Sequence, residues 1–157
     1  MVILNYLRDF ISNDIVRVAL LSVVISQSIK VLLMLILDHK IQKERILGDG
    51  GMPSSHSAVV TSIACLTGYI YGFDSHLFGI AFIFAYIVMH DAKGVRFETG
   101  KQAEMLNDIV DLFIKMGQPD ISPEKKLKEF VGHTPMQVLA GFCLGLIIGT
   151  LYYTFII

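Results

Sequence analysis

Four long apolar segments, in a chain of only 157 residues, constrain the fold more than any other feature. The cleanest runs from Met136 to Ile157 without a charged residue, and the others span about residues 15–37, 57–73 and 75–92. A helix of about 20 mostly apolar residues can cross the hydrocarbon core of a bilayer. The sequence therefore predicts an all-α polytopic membrane protein with about four transmembrane helices, forming a single membrane domain over residues 1–157.

Composition favours the same class. Hydrophobic residues make up 54% of the chain and charged residues 17%, whereas about a quarter of the residues of a soluble domain are charged. The net charge of −1 gives no basis for a nucleic-acid partner. Cys65 and Cys143 both lie in apolar segments, where cysteine usually acts as a small hydrophobe, so we expect neither a disulfide nor a metal pair.

A polar section, residues 93–132, separates the third and fourth apolar segments. Within it Leu106, Ile109, Val110 and Phe113 recur at helical spacing on one face. This pattern predicts an amphipathic cytoplasmic helix that lies on the membrane or caps the bundle. In the fourth segment Gly141, Gly145 and Gly149 form a stripe of small residues that permits close helix packing, within one chain or in a homodimer.

The distribution of positive charge predicts the orientation. Ten Lys and Arg residues fall in the loops after the first and third segments, against Arg8 and Arg17 on the opposite side. The ten are Lys40, Lys43, Arg45, Lys93, Arg96, Lys101, Lys115, Lys125, Lys126 and Lys128. Because cytoplasmic loops are enriched in these residues, we expect a protein of the cell (inner) membrane with these loops in the cytoplasm and both termini outside.

Two short motifs stand before apolar segments and carry the chemistry. The first is Gly50-Gly51-Met52-Pro53-Ser54-Ser55-His56-Ser57, and the second is Gly132-His133-Thr134-Pro135. Proline suits the first turn of a helix, where free N–H groups and the positive end of the helix dipole attract phosphate. With four spans, both motifs lie on the same side of the membrane, together with Arg45, Asp91, Arg96 and Lys101.

The ordered motifs resemble those of the type 2 phosphatidic acid phosphatase superfamily, which includes the vanadium haloperoxidases. Residues 52–57 look like its Pro-Ser-Gly-His motif, and residues 132–141 look like its last motif. Residues 91–96 and 100–103 are similar to a compact divergent branch made up of small bacterial membrane proteins. The resemblance covers roughly Gln27 to Gly149.

The resemblance implies hydrolysis of a lipid phosphomonoester without a metal or other cofactor. His133 would attack phosphorus and form a phosphohistidine, which splits the reaction into two easier steps. His56 would protonate the leaving group and then help to activate water. Amides around Ser54 and Ser55, with nearby cations, would hold the phosphate oxygens. Phosphatidylglycerophosphate, phosphatidate and polyprenyl phosphates or diphosphates are the candidate substrates, and membrane lipids are the surrounding partners.

The chain departs from the superfamily pattern at several positions. Its first motif, a Lys followed seven residues later by Arg-Pro, has no match, because Leu37 stands at that spacing from Lys30. In the last motif the expected Arg is Leu127, and the acid that would orient the nucleophile is Gln137. Asp91 is an alternative orienting residue. The candidate phosphate cations are Arg96, Lys101, Arg45 and Lys30.

Plainer interpretations stay open for each residue. His56 and His133 are also compatible with helix-start or helix-cap roles, and Lys30 with a side chain that reaches to the interface. Arg96 and Lys101 are compatible with lipid headgroup contacts. At the level of function, the rivals to a phosphatase are a non-catalytic lipid-phosphate binder or transporter and a metal-dependent membrane enzyme. The latter ranks low because no dense carboxylate cluster has ligand spacing.

Overall fold

The structure is a computed structural model, and it describes residues 2–37, 51–117, 127 and 132–157. Within these ranges the chain is all-α and contains no strand. Its helices are α1 (Val2–Ser12), α2 (Asp14–Leu37), α3 (Ser55–Tyr71), α4 (His76–Lys93), α5 (Val95–Lys115) and α6 (Pro135–Ile156). The predicted all-helical class is confirmed, and each of the four apolar segments forms a helix within two residues of its expected bounds.

Three stretches are long and apolar enough to cross a membrane within the part of the chain that is described. They are Asp14–Ile36, His76–Lys115 and Pro135–Ile156, and the second of these includes both α4 and α5. The helix α3 has 17 residues, at the lower end of the range for a transmembrane helix. The prediction of several membrane-spanning helices is therefore supported, whereas the count of four stays a prediction.

The centre of the bundle is α3, which packs against α2, α4 and α6. Ten of its 17 residues are buried, a far larger share than in any neighbouring helix. Serine and threonine account for Ser57, Thr61, Ser62 and Thr67 among these ten. A short, enclosed and hydroxyl-rich helix is suited to carry polar groups into the interior of the bundle.

The glycine stripe of α6 lies directly against α3. A Cβ atom added at Gly145 would stand 2.5 Å from the Ala58 carbonyl oxygen and 2.7 Å from Thr61 Cβ, and one at Gly149 would stand 2.9 Å from Cys65 Cβ. Gly141 makes a similar approach to the Ser54 carbonyl. The predicted close packing is thus present inside one chain, where small residues let the two backbones approach.

A buried polar row on α2 faces α3. Ser22 and Ser26 are fully buried and Lys30 is 4% exposed, at a spacing of four residues along one face of the helix. The Ser22 hydroxyl donates to the Ser62 hydroxyl at 2.7 Å, which sets the antiparallel register of α2 and α3. Further along, Val18 and Leu66 pack with Ile148 and Tyr152 in an apolar core.

The other connections use local caps. A turn at residues 72–75 joins α3 to α4 as the predicted hairpin, with Gly72 at φ +91° and the Ser75 hydroxyl accepting from Phe78 N–H. Gly94 separates α4 from α5. Helix α5 covers the part of the polar section where the helical spacing was found, and its Leu106, Ile109 and Phe113 side chains are 39–50% exposed, so its amphipathic role stays a prediction. Its placement on the membrane surface stays a prediction.

Candidate active site

The first motif ends in an N-capped helix. Ser54 is the N-cap of α3, and its hydroxyl accepts from Ser57 N–H at 3.3 Å. Pro53 precedes this cap, so the expectation that it occupies the first helical turn is wrong. The amides of Ser55 and His56 have no carbonyl four residues earlier within the helix, which leaves the start of α3 with donors for an anion.

The second motif caps α6 more completely. Pro135 occupies the first turn, as predicted, and has no N–H to satisfy. The Thr134 hydroxyl accepts from Gln137 N–H at 3.4 Å, while Gln137 Oε1 accepts from Thr134 N–H at 3.1 Å, a reciprocal capping box. The two helix starts therefore differ, because α6 satisfies most of its own amides and α3 does not.

Backbone hydrogen bonds join the two motifs to each other and to the end of α4. Ser54 N–H donates to the Gln137 carbonyl at 3.0 Å, and His133 N–H donates to the Ala92 carbonyl at 2.9 Å. Gly132 has φ +90° and lies against the backbone of Arg96 and Phe97, where a side chain would collide. Because its amide is used in this way, Ser54 has only its hydroxyl left to offer a phosphate.

These contacts bring the two histidines together across 77 residues of sequence. The ring centroids of His56 and His133 lie 5.8 Å apart, with the ring planes inclined at 62°. His133 is 2% exposed, whereas His56 is half-buried. The predicted convergence of the two motifs is thus present in the fold, where the two rings meet edge to face.

Gln137 holds the His133 ring and assigns its protons. His133 Nδ1 lies 3.3 Å from Gln137 Oε1, the same oxygen that accepts from Thr134 N–H. Since the amide donor of Thr134 requires oxygen at that position, His133 Nδ1 must be the donor to it. A proton on Nδ1 puts the imidazole lone pair on Nε2, the form that a nucleophilic histidine needs.

Asp91 has a different partner from the one considered in the sequence. Its Oδ2 accepts from Arg96 Nε at 3.0 Å, a salt bridge in which both side chains are nearly half exposed. Because Gln137 contacts Nδ1 of His133 at the position that the motif implies, Gln137 is the candidate for the orienting role. Asp91 instead fixes Arg96 beside the turn that carries His133.

Lys30 lies beside the first motif from the α2 side. Its buried side chain runs along Gly51, whose missing Cβ would stand 3.2 Å from Lys30 Cδ. Lys101 has neighbours on its own helix, with Nζ 3.4 Å from Glu98 Oε1 and 4.6 Å from the centre of the Phe97 ring. Arg45 lies outside the described residues. Lys30 is therefore the cation most closely associated with the first motif in the described part of the chain.

Comparison with known proteins identifies the family of the chain. Residues 11–148 match the sequence model of a family described as the Divergent PAP2 family. The chain belongs to this family. It is also 34% identical over 148 residues to the uncharacterized membrane protein YuiD of Bacillus subtilis (strain 168), a match that covers 89% of this chain and 94% of that protein. No solved structure matches the chain.

Ser57 is a candidate site residue of this Divergent PAP2 family member that the sequence analysis missed, whereas Ser55 was already a candidate. Ser57 is fully buried, and neither its hydroxyl nor that of Ser55 has a hydrogen-bond partner among the described residues. Buried polar groups normally have partners, so each such group calls for an explanation. The signal for Ser57 was its position one residue after His56, where the motif pattern directs attention to the histidine alone.

Proposed function

We propose that the protein is a membrane-embedded lipid phosphate phosphatase that hydrolyses a phosphomonoester through a phosphohistidine. The observation that carries this proposal is the 5.8 Å apposition of His56 and His133 beside the open amides of α3. Membership of a phosphatase-related family supports the reaction class. The exposed apolar surfaces of the long helices support a lipid as the substrate.

The residues have distinct roles in this reaction. His133 Nε2 attacks phosphorus, and the bond from phosphorus to the lipid oxygen breaks while His56 gives that oxygen a proton. Water then transfers a proton to His56 and bonds to phosphorus, and the bond between phosphorus and Nε2 breaks to release inorganic phosphate. Ser55, with the first amides of α3 and Lys30, binds the phosphate oxygens; such fixed donors supply most of the catalysis in phosphoryl transfer.

Orientation and cations complete the proposal. We place the site at the cytoplasmic face of the cell membrane because a basic loop precedes each of the two motifs in the sequence. Arg96 and Lys101 contribute positive potential on the side of His133, and Arg45 stays a candidate from the sequence alone. No metal or cofactor takes part in these steps.

The experiment is a phosphate-release panel with purified protein in detergent micelles. Phosphatidate, phosphatidylglycerophosphate and polyprenyl phosphate are each supplied to wild type, His133→Ala and His56→Ala. We expect release from at least one lipid, persistence in chelator, inhibition by vanadate and complete loss in His133→Ala. Full activity in His133→Ala would falsify the mechanism.

A non-catalytic lipid-phosphate binder is the second candidate. The neutral Gln137 favours it, because an amide cannot stabilise an imidazolium by charge as a carboxylate does. Saturable binding of a lipid phosphate with no release of phosphate from any substrate would support the binder. Covalent phosphate recovered on His133 would exclude it.

A further inference from the structure

The helix α1 divides into an apolar and a polar side, yet none of its residues is buried. Seven apolar side chains between Val2 and Ile11 are each 52–75% exposed. At about 100° per residue they fall within an arc of about 200°, and the four polar side chains fill the remainder. Among the described helices, α1 packs against α2 alone. The described part of the chain therefore leaves the apolar side of α1 uncovered.

The junction between α1 and α2 is nevertheless firmly built. The side-chain oxygen of Asn13 caps the start of α2, and Arg17 Nε donates to the Ile11 carbonyl at 2.8 Å, at the negative end of the α1 dipole. The Tyr152 hydroxyl donates to the Asp14 carboxylate at 3.0 Å, which ties the same junction to the end of α6. The position of α1 relative to the bundle is thus set by hydrogen bonds on both of its neighbours.

This junction lies at the opposite end of the bundle from the two histidines. From Pro135, at the start of α6, to Tyr152 is about 26 Å along the helix axis, close to the ~30 Å thickness of a hydrocarbon core. An aromatic group occupies the same end, where Tyr69 stacks on Tyr153 at 4.9 Å and meets Phe73 at 5.5 Å. Because tyrosine is enriched where a membrane meets water, this group indicates the level of the second interface.

We infer that α1 lies in the plane of this second interface, with its apolar side in the boundary between the lipid headgroups and the acyl chains. Amphipathic helices of this kind bury their apolar side about 5–10 Å into that boundary. The charges of Arg8 and Asp9 cancel, so apolar contact drives the binding and no anionic lipid is needed. Through the junction with α2, this contact holds the bundle at a fixed depth in the bilayer. The placement does not depend on the proposed reaction.

The chain contains no tryptophan, so a single introduced indole reports on its own position. The variants are Phe10→Trp on the apolar side of α1, Asn5→Trp on its polar side and Leu20→Trp on α2 as the reference for depth. All three positions are exposed, so the indole displaces no packed neighbour. Each full-length protein is reconstituted in phosphatidylcholine vesicles that contain phosphatidylcholine brominated either near the headgroup or near the end of its acyl chains.

Tryptophan fluorescence then compares access from water and from lipid. Acrylamide should quench Asn5→Trp several-fold more strongly than Phe10→Trp. Bromine near the headgroup should quench Phe10→Trp most. Leu20→Trp lies about 9 Å further along the bundle axis than Asp14, so bromine deeper in the acyl chains should quench it most.

Three results would overturn the inference. Equal access of acrylamide to Phe10→Trp and Asn5→Trp would show that α1 projects into water. Protection of Phe10→Trp from acrylamide without quenching by either brominated lipid would show that protein, such as a second copy of the chain, covers the apolar side. Identical lipid quenching of Phe10→Trp and Leu20→Trp would show that α1 enters the hydrocarbon core.

Discussion

The amide of Ser54 donates a 3.0 Å hydrogen bond to the carbonyl of Gln137, and this bond joins the two halves of the site. It fixes the start of α3, which carries His56, against the first turn of α6, which follows His133. Gly141 lies one turn further along α6, and its backbone packs against the Ser54 carbonyl. The relative position of the two histidines therefore depends on how closely α6 approaches this single residue.

Gly141→Ala should separate the two histidines. The added methyl group would collide with the Ser54 backbone and with Ser57 Cβ at 2.8 Å, so α6 must move away from α3. A displacement of about 1 Å can cost ~10²-fold in rate, and we expect a loss of that order in phosphate release. Gly79→Ala is the control, since nothing lies within 4 Å of its added Cβ. Equal activity of both variants would contradict the importance of this contact.

His56→Ala should affect substrates according to their leaving groups. A lipid alkoxide needs a proton when its bond to phosphorus breaks, and the loss of a general acid typically costs ~10²–10⁴-fold. p-Nitrophenolate leaves without that proton, so its release from the variant should fall much less. Stopped-flow measurement of both substrates provides the comparison. An equal loss with both would assign His56 to phosphate binding instead of acid catalysis.

The four long apolar helices were predictable from the sequence, because polar residues end each apolar segment close to where its helix begins and ends. Pro135 and Ser75 then marked the starts of α6 and α4 to within one residue of where the structure has them. Pro53 was the exception, since it precedes the N-cap, and the backbone conformation before a cap leaves no periodic signal. The burial of α3 was also beyond the sequence, because a hydroxyl-rich apolar segment reads the same whether it faces lipid or protein.

The pairing of His56 with His133 followed from the parity of the apolar segments, and the contact of Gln137 with His133 followed from the motif. The salt bridge of Asp91 with Arg96 did not, because Lys93 and Arg96 both follow Asp91 closely and the sequence does not choose between them. The contact of Lys30 with Gly51 depends on the register of α2 against α3, which the Ser22–Ser62 hydrogen bond sets in three dimensions. Sequence spacing along one helix contains no information about such a register.

Lys30→Met should weaken substrate binding more than it weakens the chemical step. The buried ammonium group beside the first motif is the proposed counter-charge for phosphate, and a charged hydrogen bond is worth about 1.5–3 kcal/mol. We therefore expect KM to rise by ~10–100-fold, with partial recovery in Lys30→Arg. Lys115→Met, at the exposed end of α5, is the control. An unchanged KM in Lys30→Met would assign Lys30 to packing against Gly51 alone.

Ser57→Ala and Ser62→Ala should change stability in opposite directions, and only Ser57→Ala should lower activity. The Ser57 hydroxyl is buried without a partner among the described residues, so its removal relieves a desolvation cost of about 1–3 kcal/mol. The Ser62 hydroxyl accepts from Ser22 and donates to the Val59 carbonyl at 2.9 Å, and bonds of this kind inside membranes average about 0.6 kcal/mol. Thermal unfolding should therefore show a higher midpoint for Ser57→Ala and a lower one for Ser62→Ala.

Activity gives the second half of this comparison. If the Ser57 hydroxyl donates to a bound phosphate oxygen, Ser57→Ala gains stability and loses roughly tenfold in kcat/KM, because the donor is missing when charge develops on phosphate. Ser62 lies about one and a half turns further along α3 and should leave kcat/KM unchanged. Lower stability together with a higher rate in the presence of the Ser57 hydroxyl would indicate that this group serves ligand binding and not folding. A Ser57→Ala variant that is both more stable and fully active would remove Ser57 from that site.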